Sequence, residues 1–213
     1  NVSIKVDLNT GKTFLFPLYS EKYDVLVDII EAPCWVTLNK EEVIVHPNIV
    51  KILLKIIEEL KDYTVIGVGG SVTIREVGII DELKRRGKKV LDHWEEGLSK
   101  EEILSIRKAH LSSEVFLTSA NAITEDGKII CIDGIGNRVS SMIFGPGRGI
   151  VVAGRNKIVK DTHEGIKRVK NIAAPLNAER SGIKDLPCVK EKRCVDCNHP
   201  KRMCRITVII ERR

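Results

Sequence analysis

At 213 residues, 43% apolar and 30% charged, the chain has the makeup of a water-soluble globular protein with one sizeable core or two small ones, which excludes disordered and fibrous classes. No apolar run approaches the roughly 18 residues that span a bilayer and no secretory signal pattern opens the chain, so no membrane span and a cytoplasmic location are expected. The net charge of +6 raises nucleic acid as a partner, but 35 basic residues are interleaved with 29 acidic ones and aromatics make up only 4%, which disfavours it.

The chain begins at Asn1 rather than Met, so residues upstream are expected. Residues 1–48 read as a β-rich extension. Alternation over residues 2–8 predicts a strand that pairs back through Thr13, and residues 35–38 and 42–45 predict a hairpin around Asn39-Lys40. The apolar run 24–30 suits a strand or a short helix. Cys34 reads as a packed thiol and His46 as a surface imidazole. Residues 49–213 form the main α/β domain. His46-Pro47-Asn48 opens a helix that ends near Asp62, and a buried strand over 63–68 runs into Gly67-Val68-Gly69-Gly70-Ser71. One helix is predicted from 72 to 86, a strand at 88–92, a helix capped by Ser99 with Glu102 to about Leu111, and a strand at 114–118. This alternation predicts a mostly parallel sheet flanked by helices.

Residues 117–156 carry the densest signals. Glu125-Asp126-Gly127 marks a hairpin turn, since Asp and Gly accept positive φ, with strands at 122–124 and 128–132. Asp133-Gly134-Ile135-Gly136-Asn137-Arg138 follows, offering an acceptor, an amide and a forked cation beside backbone that a ligand can approach. A β-branched strand over 149–153 ends in Gly154-Arg155-Asn156-Lys157. Polar residues gathered where strands end are what a ligand crevice in an α/β sheet is made of. The strand–Gly turn–helix at 63–86 is neither a Walker A loop nor a dinucleotide fingerprint, but can present backbone N–H groups and the Ser71 hydroxyl to a carboxylate or phosphate. Residues 161–173 predict an amphipathic helix ended by Pro175, and 205–211 a last strand.

Of six cysteines, four lie between 188 and 204, spaced Cys188-x5-Cys194-x2-Cys197-x6-Cys204. In a reducing compartment such a set argues for metal ligation over disulfides. The single Cys-x2-Cys knuckle leans towards an iron–sulfur cluster (4Fe-4S) and leaves zinc open. The loop 187–204 has little apolar content, so a metal would supply its ordering. His199 reads as a surface residue and Cys131 as core.

The segments GVGGSVTIREVG, LTSANAITEDGKIICIDGIGNRVSSMIFGP, VVAGRNKIV, RVKNIAAPLNAERSG and CVDCNHPKRMCRITVII, in this order, resemble the LUD-domain family, the lactate-utilization proteins. The resemblance implies a fold like that of the ribose-phosphate isomerase (NagB/RpiA) and CoA-transferase group, and oxidation of lactate to pyruvate beside iron–sulfur redox partner proteins. It implies a pocket from Gly69, Gly70, Ser71, Asn121, Glu125, Asp133, Asn137 and Arg138. There Arg138 would hold a small anionic metabolite by two parallel N–H bonds, and Glu125 or Asp133 would accept a proton. Residues 1–48 depart from the helical N-terminus of the family. Two functions follow as expectations: a subunit or accessory of lactate oxidation, or an iron–sulfur or zinc protein with an electron-transfer or structural role and no catalysis of its own. Whether the chain is itself an enzyme or forms a homo-oligomer stays open at this level.

Overall fold

A computed structural model describes residues 47–211, with side chains from Ile52 onward, and four short strands before them: β1 (Val6–Asp7), β2 (Lys12–Thr13), β3 (Cys34–Leu38) and β4 (Glu41–Val45). β1 and β2 pair antiparallel, as do β3 and β4, with Trp35 opposite Ile44 in the expected hairpin. The run 24–30, the Cys34 thiol and His46 lie outside the described residues.

The helix α1 (Pro47–Glu59) places Pro47 at its first position, where a missing N–H costs nothing. β5 (Val65–Val68) follows. The single helix expected over 72–86 is two, α2 (Val72–Glu76) and α3 (Ile79–Arg85). Gly78 between them sits at φ 74, and a left-handed residue cannot propagate a right-handed helix. After β6 (Lys89–Asp92) comes α4 (Lys100–Ala109), held by the reciprocal Ser99–Glu102 bonds that the sequence signals. β7 (Val115–Thr118) and the later β10 (Arg148–Val151) complete a four-stranded, all-parallel sheet in the order β10-β7-β5-β6.

The expected hairpin forms as β8 (Ala122–Thr124) and β9 (Ile129–Asp133), turning through Gly127 at φ 90. It is not an appendage of the parallel sheet, however. With β11 (Ile158–Val159) and β12 (Ile206–Ile210) it builds a second, mixed sheet in the order β11-β8-β9-β12. The short helix α5 (Asn137–Ile143) leaves β9. Pro175 does not end the late helix. α6 (Thr162–Arg168) widens into a π turn over Val169–Ala173 and continues as α7 (Ala174–Arg180). The N–H of Ala174 bonds back five residues to Val169, so the helix passes the proline ring in a wider turn instead of colliding with it.

Strand alternation sorts the core. On β7, Val115 and Leu117 face α1 and α3 with Ile56, Leu60, Ile66, Val68, Ile79 and Leu83. Phe116 points the other way, into a cluster with Val139 and Met142 of α5 and Cys131 of β9. Cys131 is fully buried, as expected, and burial pushes its thiol pKa up. Its neighbours Ile130 and Ile132 face the opposite side, against Val169 of the π turn and Ala174 of α7. The layers are therefore helices, parallel sheet, α5, mixed sheet, helices. Each fully buried aliphatic side chain contributes about 1.5–3 kcal/mol.

Helix α6 comes so close to β9 that a Cβ on Gly165 would lie 2.1 Å from Ile130 Cδ1. Ile130 is 0% exposed and has nowhere to move. Gly165→Val is expected to cost about 1–3 kcal/mol by overpacking, read as a lower urea midpoint with an unchanged slope.

Candidate functional site

The site is built at the C-terminal ends of the parallel strands, where β5, β6 and β7 deliver their loops. Packing alone requires the glycines at the end of β5 and in the turn after it. A Cβ on Gly67 would meet Ser113 Oγ at 2.7 Å, one on Gly69 would meet Thr118 Oγ1 at 2.5 Å, and one on Gly70 would meet the Trp94 ring at 2.8 Å. The Gly69 N–H bonds to Leu117 O, and Ser71 caps α2 by accepting from the Ile74 N–H. The Trp94 indole that covers Gly70 carries two guanidinium groups, Arg75 at 4.4 Å and Arg180 at 4.8 Å from its ring centre. Arg75 is neutralised by Asp92, which it meets at 2.7 and 2.8 Å. An open depression of about 290 Å³ lies against α3, lined by Arg75, Asp81, Lys84, Asp92, Glu95 and Glu96; its acids outnumber its bases, so it does not select an anion.

Asn121, Asp133 and Arg138, expected together, do meet. The Arg138 Nε and Nη2 donate to Asp133 Oδ1 at 2.9 and 2.6 Å. Nη1 donates to Ser119 O at 3.2 Å, and Nη2 also reaches Ile132 O and Asn121 Oδ1. The other oxygen of Asp133 accepts from the Val139 N–H in the first turn of α5, and Asn121 Oδ1 accepts from the Ile132 N–H. The guanidinium is thus engaged by protein on every nitrogen, with side-chain exposures of 13% for Arg138 and 7% for Asp133. Asn137 opens α5 next to this cluster. Glu125 lies apart from it, exposed in the β8–β9 turn at the other end of β9 from Asp133.

What connects the glycine turn to this cluster is Lys157, which the sequence placed in a polar strand end without giving it a role of its own. Lys157 Nζ donates to Ser119 Oγ at 2.7 Å and to Thr73 Oγ1, in the first turn of α2, at 3.3 Å. Burial, with the charges of Arg168 and Arg138 close by, pulls its pKa down to about 8. Arg168 donates to two backbone carbonyls, Asn121 O and Asn156 O. Asp92 and Asp133 are already committed to Arg75 and Arg138, and among the described residues no carboxylate pairs with Lys157, Arg168 or Arg180. The polar strand end marks the run 154–157 but does not single out Lys157 within it. It follows a strand in a basic, polar run, and only the meeting of three loops reveals that it is half-buried.

Behind the parallel sheet, His93 (5% exposed) and His110 (0% exposed) meet edge to face at 5.3 Å, and His110 Nε2 bonds Leu91 O. Burial, with Arg107 and His110 adding, pulls the His93 pKa down to about 4.

The cysteine loop lies on the far side of α7. Cys188, Cys197 and Cys204 line one narrow crevice with Ala174, Ala178 and Leu186. Burial raises the Cys188 thiol, and nearby Cys197, Cys204 and Cys194 add to the effect. The Asp196 N–H points at Cys194 Sγ at 3.4 Å, with Asp196 in the left-handed region at φ 45. Arg202 Nε lies 3.2 Å from Cys204 Sγ. Such donors stabilise thiolate sulfur. Among the described residues no three His, Cys, Asp or Glu side chains converge closely enough to hold a metal ion. His199 is tied into the loop, its Nδ1 accepting from the Lys201 N–H. No described helix is long and apolar enough to cross a membrane.

A family model described as the LUD domain matches residues 36–213. No curated protein matches the chain. Among solved structures, one of a DUF162 family protein from Deinococcus radiodurans is similar at 14% identity over 63% of this chain and 82% of that one, with a TM-score of 0.26.

Two outcomes follow from the geometry. Arg138→Met leaves the Asp133 carboxylate buried without its cation and is expected to destabilise the fold by about 3–5 kcal/mol in urea unfolding. Adding Asp133→Asn is expected to recover part of that loss. For His93, the unfolded chain binds a proton near pH 6.5, whereas the folded chain resists it until about 4. Its contribution is therefore complete above pH 6.5 and is lost as pH falls towards 4, by up to about 3 kcal/mol. His93→Leu is expected to flatten that part of the stability–pH curve.

Proposed function

The chain belongs to the LUD domain family, and from that premise we propose that it serves, as subunit or accessory, the oxidation of lactate or a similar small 2-hydroxy acid to the 2-oxo acid. The observation that carries the reading is the half-buried Lys157 ammonium. Its described hydrogen bonds go to two hydroxyls, Arg168 acts on it from close by, and no carboxylate forms an ion pair with it among the described residues. A cation seated this way lowers the energy of a small carboxylate that reaches it at the strand ends. Arg138 and Asp133 position the site by fixing Ser119 and Asn121, and the Gly69–Gly70–Ser71 turn sets where Thr73 stands.

We further propose that Cys188, Cys194, Cys197 and Cys204 hold a metal, an iron–sulfur cluster or zinc. Four thiols on one short loop, with N–H donors aimed at two of the sulfurs, support the donor chemistry. Closing the loop around the metal is coupled to binding it. A bound cluster would supply one-electron transfer towards an iron–sulfur partner protein, and zinc would supply only cohesion. An accessory role without catalysis rests on this loop alone, independently of the Lys157 site.

Titration calorimetry with lactate, pyruvate and the neutral isostere lactamide tests the Lys157 site. The two acids are expected to bind and lactamide to fail, and Lys157→Met to weaken the acids on the order of tenfold or more. Equal binding of lactamide would remove the anion site. For the loop, anaerobic purification with metal analysis and a visible spectrum is expected to return metal in the chain and less of it in Cys194→Ser. A brown protein means a cluster and a colourless, zinc-bearing one a structural staple, whereas a metal-free protein would end the ligation proposal.

A further inference from the structure

We propose that Lys157 is an amine nucleophile that forms an imine with the carbonyl of a small 2-oxo acid. The proposal rests on the anion-binding reading above and adds a covalent step to it.

Three elements fix the amine. Lys157 ends the turn Arg155–Lys157 between β10 and β11, and its N–H is bonded to Gly154 O. Thr73 is held in α2, whose cap is Ser71. Ser119 follows β7 directly, and its carbonyl is gripped by Arg138. The Nζ therefore stands at 2.7 Å from one hydroxyl and 3.3 Å from another, with no acid paired to it. A lysine that only stabilised the fold would be better served by a carboxylate. Hydroxyls differ in that they accept from an ammonium, donate to a free amine and pass protons between nitrogen and oxygen. The charged and titratable groups that act on it are Arg168, Arg138, Glu76 and Cys131; the first two, with burial, favour the neutral amine. Arg138 is already neutralised by Asp133, whereas Arg168, held by two backbone carbonyls, is left for the carboxylate of a 2-oxo acid to neutralise.

The step balances without an oxidant. The lone pair of neutral Nζ attacks the carbonyl carbon, a C–N bond forms and the C=O π pair moves to oxygen. One proton passes from nitrogen to that oxygen through the Ser119 hydroxyl. The resulting carbinolamine loses the oxygen as water, which takes the remaining N–H proton through the same hydroxyl, while nitrogen closes the C=N bond. Amine and 2-oxo acid give imine and one water.

The test treats the full chain with pyruvate or glyoxylate and borohydride, followed by intact mass and peptide mapping. A single reduced adduct on Lys157 is expected, dependent on both reagents and absent in Lys157→Arg. Ser119→Ala is expected to slow adduct formation roughly a hundredfold, as loss of a proton relay does. No adduct on Lys157 while calorimetry shows lactate and pyruvate bound would overturn the imine and leave the anion site standing. Labelling spread evenly over surface lysines would overturn it as well. If neither acid binds and no adduct forms, both readings fall together.

Discussion

The Arg138 guanidinium holds two separately built halves of the molecule in register. Its donors reach Ser119, just past a strand of the parallel sheet, and Ile132, Asp133 and Asn121 of the mixed sheet. The two sheets share no strand. Together with the apolar cluster around Phe116, Cys131 and Met142 and the bonds of Lys157 to Thr73 and Ser119, this contact sets how their ends face each other. A planar, always-charged fork suits the task, because a flexible point charge could not serve three carbonyl-type acceptors in fixed directions at once.

That engagement shifts the burden of ligand capture. The arginine that a motif reader selects is saturated by protein, and the cations left without acids are its neighbours Lys157, Arg168 and Arg180. Arg75 follows the same logic, since Asp92 neutralises it and Trp94 carries it together with Arg180. Paired charges make the frame, and unpaired ones are those to which the proposed ligand would bind. Desolvating a cation without an anion is costly, so it is held by hydroxyls and carbonyls that soften the cost without cancelling the charge.

The cysteine loop is tied to the same frame. The Cys194 N–H bonds to Asn171 in the π turn, and the Arg205 N–H bonds to Asp133 O at the end of β9. A Cβ on Gly134 would touch the Met203 carbonyl at 3.4 Å. Ordering the loop and positioning Asp133 are thus mechanically joined, through one backbone bond and a close approach.

Much was legible in the residues. Helical spacing, the Ser99–Glu102 cap, the Gly127 turn and the β-branched runs located most elements of residues 47–211, because those signals act within a few residues. The meeting of Asn121, Asp133 and Arg138 was also anticipated, through family likeness. Local pattern was insufficient where the outcome depended on distant packing. Nothing near Gly78 decides between one helix and two except the path the chain must take over the sheet. Pro175 stops a helix in isolation and is tolerated here by a π turn. The hairpin became half of a second sheet because β12, some seventy residues later, adds to its edge. Lys157 gained its character only when Thr73 and Ser119 closed around it. Desolvation and charge proximity are properties of assembled space, and no spacing rule along the chain encodes them.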